Sequence, residues 1–188
     1  MMWGVIAAAL LAAQAPAEPV GDNGELAALF EADQAIRRDV KPDWFKDMDF
    51  VRAMWAADAK RRERVRALLA AGAVRTGADY HHAAYVFQHG VTPADHLLAH
   101  ALATAAMARG RAESRWIAAA TLDRYLQGIG QPQVYGTQST RPPGAPATRE
   151  PYDRALLPDA LRTAMDVPVQ AEQDRRLAEM NGASPAAR

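Results

Sequence analysis

The chain has no cysteine in its 188 residues, which excludes a disulfide framework, a thiolate zinc site and a lipid-anchored N-terminal cysteine. It also lacks an excess of charge, because 22 basic residues meet 22 acidic ones. A balanced surface gives no reward for nucleic acid or an anionic membrane, both of which favour basic proteins, so neither is expected as a partner. No apolar run approaches the roughly 20 residues that span a bilayer. The run from Val5 to Ala13 is too short for stable membrane insertion. Serine occurs only as Ser114, Ser139 and Ser184, none in a G-x-S-x-G setting, so a serine-nucleophile elbow is excluded.

Behind the Val5–Ala13 run stands Ala15-Pro16-Ala17, a small-x-small pattern suited to cleavage after Ala17. The stretch before the run has no Lys or Arg. Residues 1–17 read as an export signal, residues 18–180 as a single helical domain and residues 181–188 as a flexible tail. On that reading the mature chain is periplasmic or extracellular. The remaining ~170 residues suffice for one core.

Helical periodicity dominates, and alternation of the strand kind is scarce. Asp22-Asn23-Gly24 offers caps for a helix through Leu26, Leu29, Phe30 and Ile36 that ends before Pro42. A second helix is predicted from Asp47 to Ala71, its buried stripe formed by Phe50, Val51, Met54, Trp55, Val65, Leu68 and Leu69, with Gly72 as the stop. A third spans Ala78 to His89 and closes on Gly90. Thr92-Pro93-Ala94-Asp95 has the chemistry of a capped start: Thr as N-cap, Pro first and Asp third, for a helix reaching Arg109. A fifth covers Ala112 to Gln127, with Trp116 and Ala120 on its buried face. Gln133–Gln138 and the proline-rich loop Thr140–Thr148 predict a small β-hairpin or an irregular flap. Two short helices near Pro158–Met165 and Val169–Met180 follow, and the chain frays from Asn181. The expected fold class is mainly α: antiparallel helical hairpins from about five main helices, with the flap and two short C-terminal helices.

All five histidines lie between positions 81 and 100. Histidine is the side chain best suited to metal ligation and to proton transfer near neutral pH, so this window is the first place to seek a site. His82 and His89 are two helical turns apart and share a face. His96 and His100 stand i,i+4, a spacing that lets two imidazoles reach one ion. Folding at Gly90–Thr92 is expected to bring His82 and His100 toward each other. No HExxH or comparable set completes a metal motif, so no cofactor is expected; zinc at His82 and His100 is the one metal left open. The plain alternative is a set of half-buried imidazoles, each bonded to a neighbour. His81, turned about 100° from His82, reads as solvated, and Asp95 as the capping-box acid. Asp33-Gln34 with Arg37 one turn later is either a surface pair or an inward patch facing the histidines. Asp123 falls on the buried face of its helix and needs a partner there, which Arg37 or a histidine would supply.

Several blocks together resemble a known family. They are Asp33-Gln34-x-x-Arg37; His82-Ala83-Ala84-x-x-Phe87-Gln88-His89-Gly90; Asp95-x-x-Leu98-Ala99-His100; Asp123-Arg124-Tyr125-Leu126; and Gly130-x-Pro132-Gln133-x-Tyr135-Gly136-Thr137-Gln138. The chain resembles, from Glu25 to Gln173, the family catalogued as domain of unknown function 6624. That resemblance implies no activity, but it sorts the residues. His82, His89 and His100 fall on motif positions, whereas His81 and His96 do not. It also draws Gln88, Asp123, Arg124, Gln133, Thr137 and Gln138 toward one candidate site, where the Gly136 turn would let backbone N–H groups approach an anionic or amide ligand.

Three functions fit these residues. The favoured one is a polar pocket binding a small polar molecule or a peptide through Gln34, Arg37, Gln88, His89, His100, Gln133, Tyr135, Thr137 and Gln138. A second is a water-activating hydrolase, with or without zinc, in which His82 or His89 is the general base, oriented by Asp123, and Arg124 or backbone N–H groups stabilise an oxyanion. The third is a purely structural polar network.

Overall fold

The computed structural model describes residues 21–38, 44 and 46–182. The export-signal reading therefore lies outside the described residues. Seven α-helices are present among them: α1 (Gly24–Arg38), α2 (Met48–Ala70), α3 (Gly77–Phe87), α4 (Pro93–Ala108), α5 (Arg115–Gly128), α6 (Asp159–Ala164) and α7 (Gln170–Met180). A 3₁₀ turn, Ala112–Ser114, precedes α5. No helix of the described residues is long and apolar enough to cross a membrane.

Local chemistry sets the helix starts. Asn23 caps α1, its Oδ1 accepting from Leu26 N at 3.0 Å, and its Nδ2 donates to Ala73 O at 3.1 Å, so the cap also ties α1 to the segment before α3. Asp47 accepts from the backbone N–H of Asp49 and Phe50 at the start of α2. Thr76 with Asp79, and Thr92 with Asp95, form full capping boxes for α3 and α4. Each box satisfies donors that a helix start otherwise leaves orphaned. The α3–α4 turn is tight enough that a Cβ on Gly90 would stand 2.2 Å from the Asp95 Cβ.

Helix α4 packs against both α3 and α5, while α1 and α2 lie against α3. The contact surfaces are rich in alanine: Ala83, Ala84, Ala99, Ala103, Ala106, Ala118, Ala119 and Ala120 are all buried. Small side chains let helix axes approach to the short end of the usual 8–10 Å, roughly. Leu26, Val65, Leu68, Val86, Phe87, Leu102 and Ile117 fill the remaining core.

Two aromatics depart from the expected stripes. Trp55 is 57 % exposed and Trp116 is 39 % exposed, although both stand on helices whose neighbouring turns are buried. On α2 the buried register runs Val51, Asp58, Arg61, Arg62, Val65, Leu68. Asp58, Arg61 and Arg62 share that buried face with the valines, and Trp55 falls outside its register.

After α5 the chain is irregular. No strand forms among the described residues; two isolated bridges, Gln133 with Tyr152 and Thr140 with Thr148, are the only β pairing. The segment is held by side chains instead. Arg162, fully buried, donates to the Tyr152 hydroxyl at 3.0 Å and to the carbonyls of Leu157, Val134 and Arg154. Gln173 of α7 donates to Tyr135 O at 2.9 Å and Pro168 O at 2.7 Å. Asn181, expected to begin a frayed end, clasps Ala147 through both backbone groups, at 2.7 Å and 2.9 Å.

Candidate functional site

The residues singled out from the sequence separate into two polar clusters and four histidines that stand outside them. The first cluster begins with Asp33, on the inner face of α1 and 0 % exposed. A buried carboxylate needs partners. Asp33 receives Arg37 Nη1 at 3.0 Å and Gln34 Nε2 at 2.8 Å, with Arg61 Nε at 3.5 Å. Helix α2 contributes Asp58, which accepts from Arg37 Nη2 at 2.8 Å and from Arg61. Arg62 donates to the His89 carbonyl at 2.8 Å. The His89 ring closes the cluster with Nε2 3.5 Å from Asp33 Oδ2, too far for a hydrogen bond, and that nitrogen is buried without a partner.

A pocket of about 350 Å³ opens beside this cluster. Arg37, Asp58, Gln88, His89 and Arg124 form its polar wall, and Met54, Trp55, Gly90 and Val91 the rest. Arg124 reaches it from α5. Among the described residues no carboxylate or carbonyl pairs with its guanidinium, and its Nε is buried without a partner. Gln88, only 6 % exposed at the C-cap of α3, likewise makes no side-chain hydrogen bond to a described residue. Four guanidiniums (Arg37, Arg61, Arg62, Arg124) thus face two carboxylates (Asp33, Asp58).

Electrostatics follow from that geometry. Burial, then the positive charge of Arg37, Arg124, Arg61 and Arg62, pushes the His89 imidazole down to about 3, so it is neutral at neutral pH. Burial pushes the Asp33 carboxyl up to about 6, against the pull of Arg37 and Arg61 and with the help of Asp58. Burial also lowers the pKa of Arg124.

The second cluster surrounds Asp123, which is 0 % exposed. Its partners are neither Arg37 nor a histidine. Oδ1 accepts from Val134 N at 2.8 Å and Tyr135 N at 3.0 Å; Oδ2 accepts from Thr137 N at 2.9 Å and Thr137 Oγ1 at 2.7 Å. The Gly136 turn does form an anion-binding concavity of backbone N–H groups, and the anion it holds is this carboxylate of α5. Gly136 has φ 79°, and a Cβ there would meet Gln173 Oε1 at 2.2 Å and the Tyr152 ring at 2.6 Å, so glycine is required on both counts. Gln133, fully buried, donates to the carbonyls of Gln138 and Arg149 and accepts from Gln138 N at 2.9 Å. The Gln138 amide donates to Ala120 O and to Thr137 Oγ1. Tyr135 gives its carbonyl to the Tyr152 hydroxyl at 3.2 Å. Asp123, Gln133, Tyr135, Thr137 and Gln138 therefore bond to one another and to the backbone, and none of them lines the Arg124 pocket.

Of the remaining histidines, His81 and His82 share Phe30 as a neighbour, whereas His96 and His100 bond elsewhere. His82 stacks on Phe30 of α1, ring centroids 4.5 Å apart. His81 is not solvated: it is half-buried, bonded through Nδ1 to Ser114 Oγ at 2.8 Å and packed on Tyr85. His96 bonds to Gly90 O at 3.1 Å and His100 to Ala118 O at 2.9 Å. Among the described residues no three His, Asp or Glu side chains group to hold a metal ion, so the structure supplies His82 and His100 with no third donor.

The imidazoles give the fold a defined pH dependence. Burial lowers His81 to about 4 and His89 to about 3, and it lowers His82 and His96 as well, all from 6.5. The unfolded chain takes up these protons as pH drops below 6.5 while the fold resists them, so stability present above that value is lost toward pH 4. Asp33 works oppositely: with a folded value of about 6 against 3.8, it takes up its proton in the folded state first and offsets part of the loss in between. The melting temperature is expected to be flat above about pH 7 and to fall steadily below about pH 6.5, with a shallower fall in His89→Gln. A melting temperature unchanged down to about pH 5 would refute the burial argument.

Comparisons with family models, with curated proteins and with solved structures find no match to this chain.

Proposed function

We propose that the pocket walled by α1, α2, the end of α3 and α5 binds a small polar ligand through an anionic group. The observation that carries this reading is Arg124: a guanidinium at a pocket, its Nε buried, with no acceptor among the described residues and with Arg37 in the same wall. Such a cation costs free energy in the empty protein, and an anion offsets that cost. The unpartnered His89 Nε2 and the uncommitted Gln88 amide beside it support the same conclusion. A volume near 350 Å³ sits at the small end of ligand sites, which run from about 300 to 1,000 Å³, so a metabolite-sized molecule or a chain end fits.

We also propose membership of the family that the motifs resemble. In support, Arg37, Gln88, His89 and Arg124, which come from three separate motif blocks, all line this pocket. Action outside the cytoplasm belongs to the proposal as well, on the strength of the Val5–Ala17 segment. The hydrolase is a second reading, favoured by the His89–Asp33 approach at 3.5 Å. An imidazole held near 3 is a weak base, which ranks this reading below simple binding.

The test is a thermal-shift titration of the full chain with acetate, succinate, inorganic phosphate and an uncharged sugar. At least one anion is expected to raise the melting temperature in a saturable way, through its preference for the folded state, and the sugar is not. If no anion acts, or if Arg124→Gln responds as the parent does, the proposal is wrong.

A further inference from the structure

We infer that the anion is a monocarboxylate joined to an apolar body of aromatic or branched aliphatic kind, either a free acid or the last residue of a peptide. This rests on the anion-pocket reading above. The charge is counted first. Asp33 and Asp58 neutralise Arg37 and Arg61; Arg62 donates to the His89 carbonyl and does not line the pocket, so Arg124 is the one guanidinium of its wall left without a counter-charge. One open guanidinium matches one negative charge. A planar carboxylate also matches its paired N–H donors.

Two features count against a dianion such as phosphate. The Asp58 carboxylate itself lines the pocket. Of the two helix ends at this turn, α3 presents its C-cap, Gln88, to the pocket, while α4 begins with a capping box in which Asp95 and Thr92 already take the N–H groups of Val91, Thr92 and Asp95, so no free helix N-terminus is offered. Phosphate sites commonly use the opposite helix end.

The remaining wall decides the body of the ligand. Met54, Trp55 and Val91 line the same pocket, with Trp55 57 % and Val91 78 % exposed. A large indole and a valine left open beside a buried cation offer apolar area to a ligand whose charged end is already fixed. Burying that area against an aromatic or branched group favours amphiphilic acids over acetate.

Calorimetric titration of the full chain tests the inference, with acetate, inorganic phosphate, phenylacetate, phenylacetamide, N-acetyl-glycyl-leucine and its C-terminal amide as probes. Phenylacetate is expected to bind at least about tenfold tighter than acetate, and both amides to bind undetectably. Trp55→Ala, a change at an exposed position, is expected to shrink the phenylacetate advantage over acetate to less than about threefold. Tighter binding of the peptide acid assigns the site to chain ends, and tighter binding of phenylacetate to free acids; both support the shared chemistry. Phosphate binding tightest, or phenylacetate binding no better than acetate, overturns this inference and leaves the anion pocket standing. No binding by any anion, or binding unaffected by Arg124→Gln, overturns both.

Discussion

Asp123→Ala is expected to lower stability by about 3–5 kcal/mol. The carboxylate accepts four hydrogen bonds in a fully buried setting, three from backbone N–H groups and one from the Thr137 hydroxyl. Alanine leaves all four donors facing a void, and each unsatisfied buried donor costs roughly 1–3 kcal/mol before relaxation and water entry reduce the sum. The damage spreads, because the turn that Asp123 holds presents Tyr135 O to the Tyr152 hydroxyl and to Gln173 of α7. At this chain length the expected fall in melting temperature is roughly 10 °C or more. Asp123→Asn keeps one acceptor oxygen but points an amide N–H₂ at donors, so it is expected to lose about half as much or more. A change of under about 3 °C for the alanine variant would show that the turn does not depend on the carboxylate.

Arg124→Gln, on the neighbouring residue of the same helix, is expected to behave in the opposite way. The guanidinium has no acceptor among the described residues, and burial already lowers its pKa. Arg37 stands in the same pocket wall. Removing such a cation releases its desolvation cost, so the melting temperature is expected to stay level or to rise. Anion affinity is expected to fall by about thirtyfold or more, since the direct charge-assisted contact is lost. Stability given up for a ligand contact is the usual signature of a binding group. If Arg124→Gln instead destabilised the fold about as much as Asp123→Ala, both residues would belong to one structural network and the pocket would lose its main support.

These two adjacent side chains show where sequence pattern stops being informative. Periodicity places Asp123 on the buried face of α5, and nothing local tells whether its partner is a cation, a ligand or a turn folded from later in the chain. The turn at Gly136 is legible as an anion-binding concavity, but the identity of the anion depends on how the irregular segment packs back onto α5. Helix starts are more legible, because Thr92 with Asp95 and the Asp22–Gly24 stretch state their capping chemistry within a few residues. The inward Asp33–Arg37 patch is legible as one of two readings, and only the 0 % exposure of Asp33 decides between them.

The share of the Asp33 cluster supplied by α2 is harder to see. Asp58, Arg61 and Arg62 lie in a charged run that composition alone assigns to solvent. Their register is the missed signal: Val51, Met54, Asp58, Arg61, Val65 and Leu68 recur at intervals of three and four, which puts the charges on the face of the buried valines. The histidine window misleads for the converse reason. Adjacent helical positions point about 100° apart, so residues close in sequence meet Phe30, Ser114, Gly90, Ala118 and Asp33 separately.

The most direct test follows the Nε–H nuclear magnetic resonance signal of Arg124, assigned by its disappearance in Arg124→Gln, through a titration with phenylacetate. The expected result is a saturable shift of that signal in step with the His89 ring resonances, at the concentrations where calorimetry records binding. An Arg124 signal that stays fixed while phenylacetate binds would place the ligand elsewhere and contradict the assignment of this pocket.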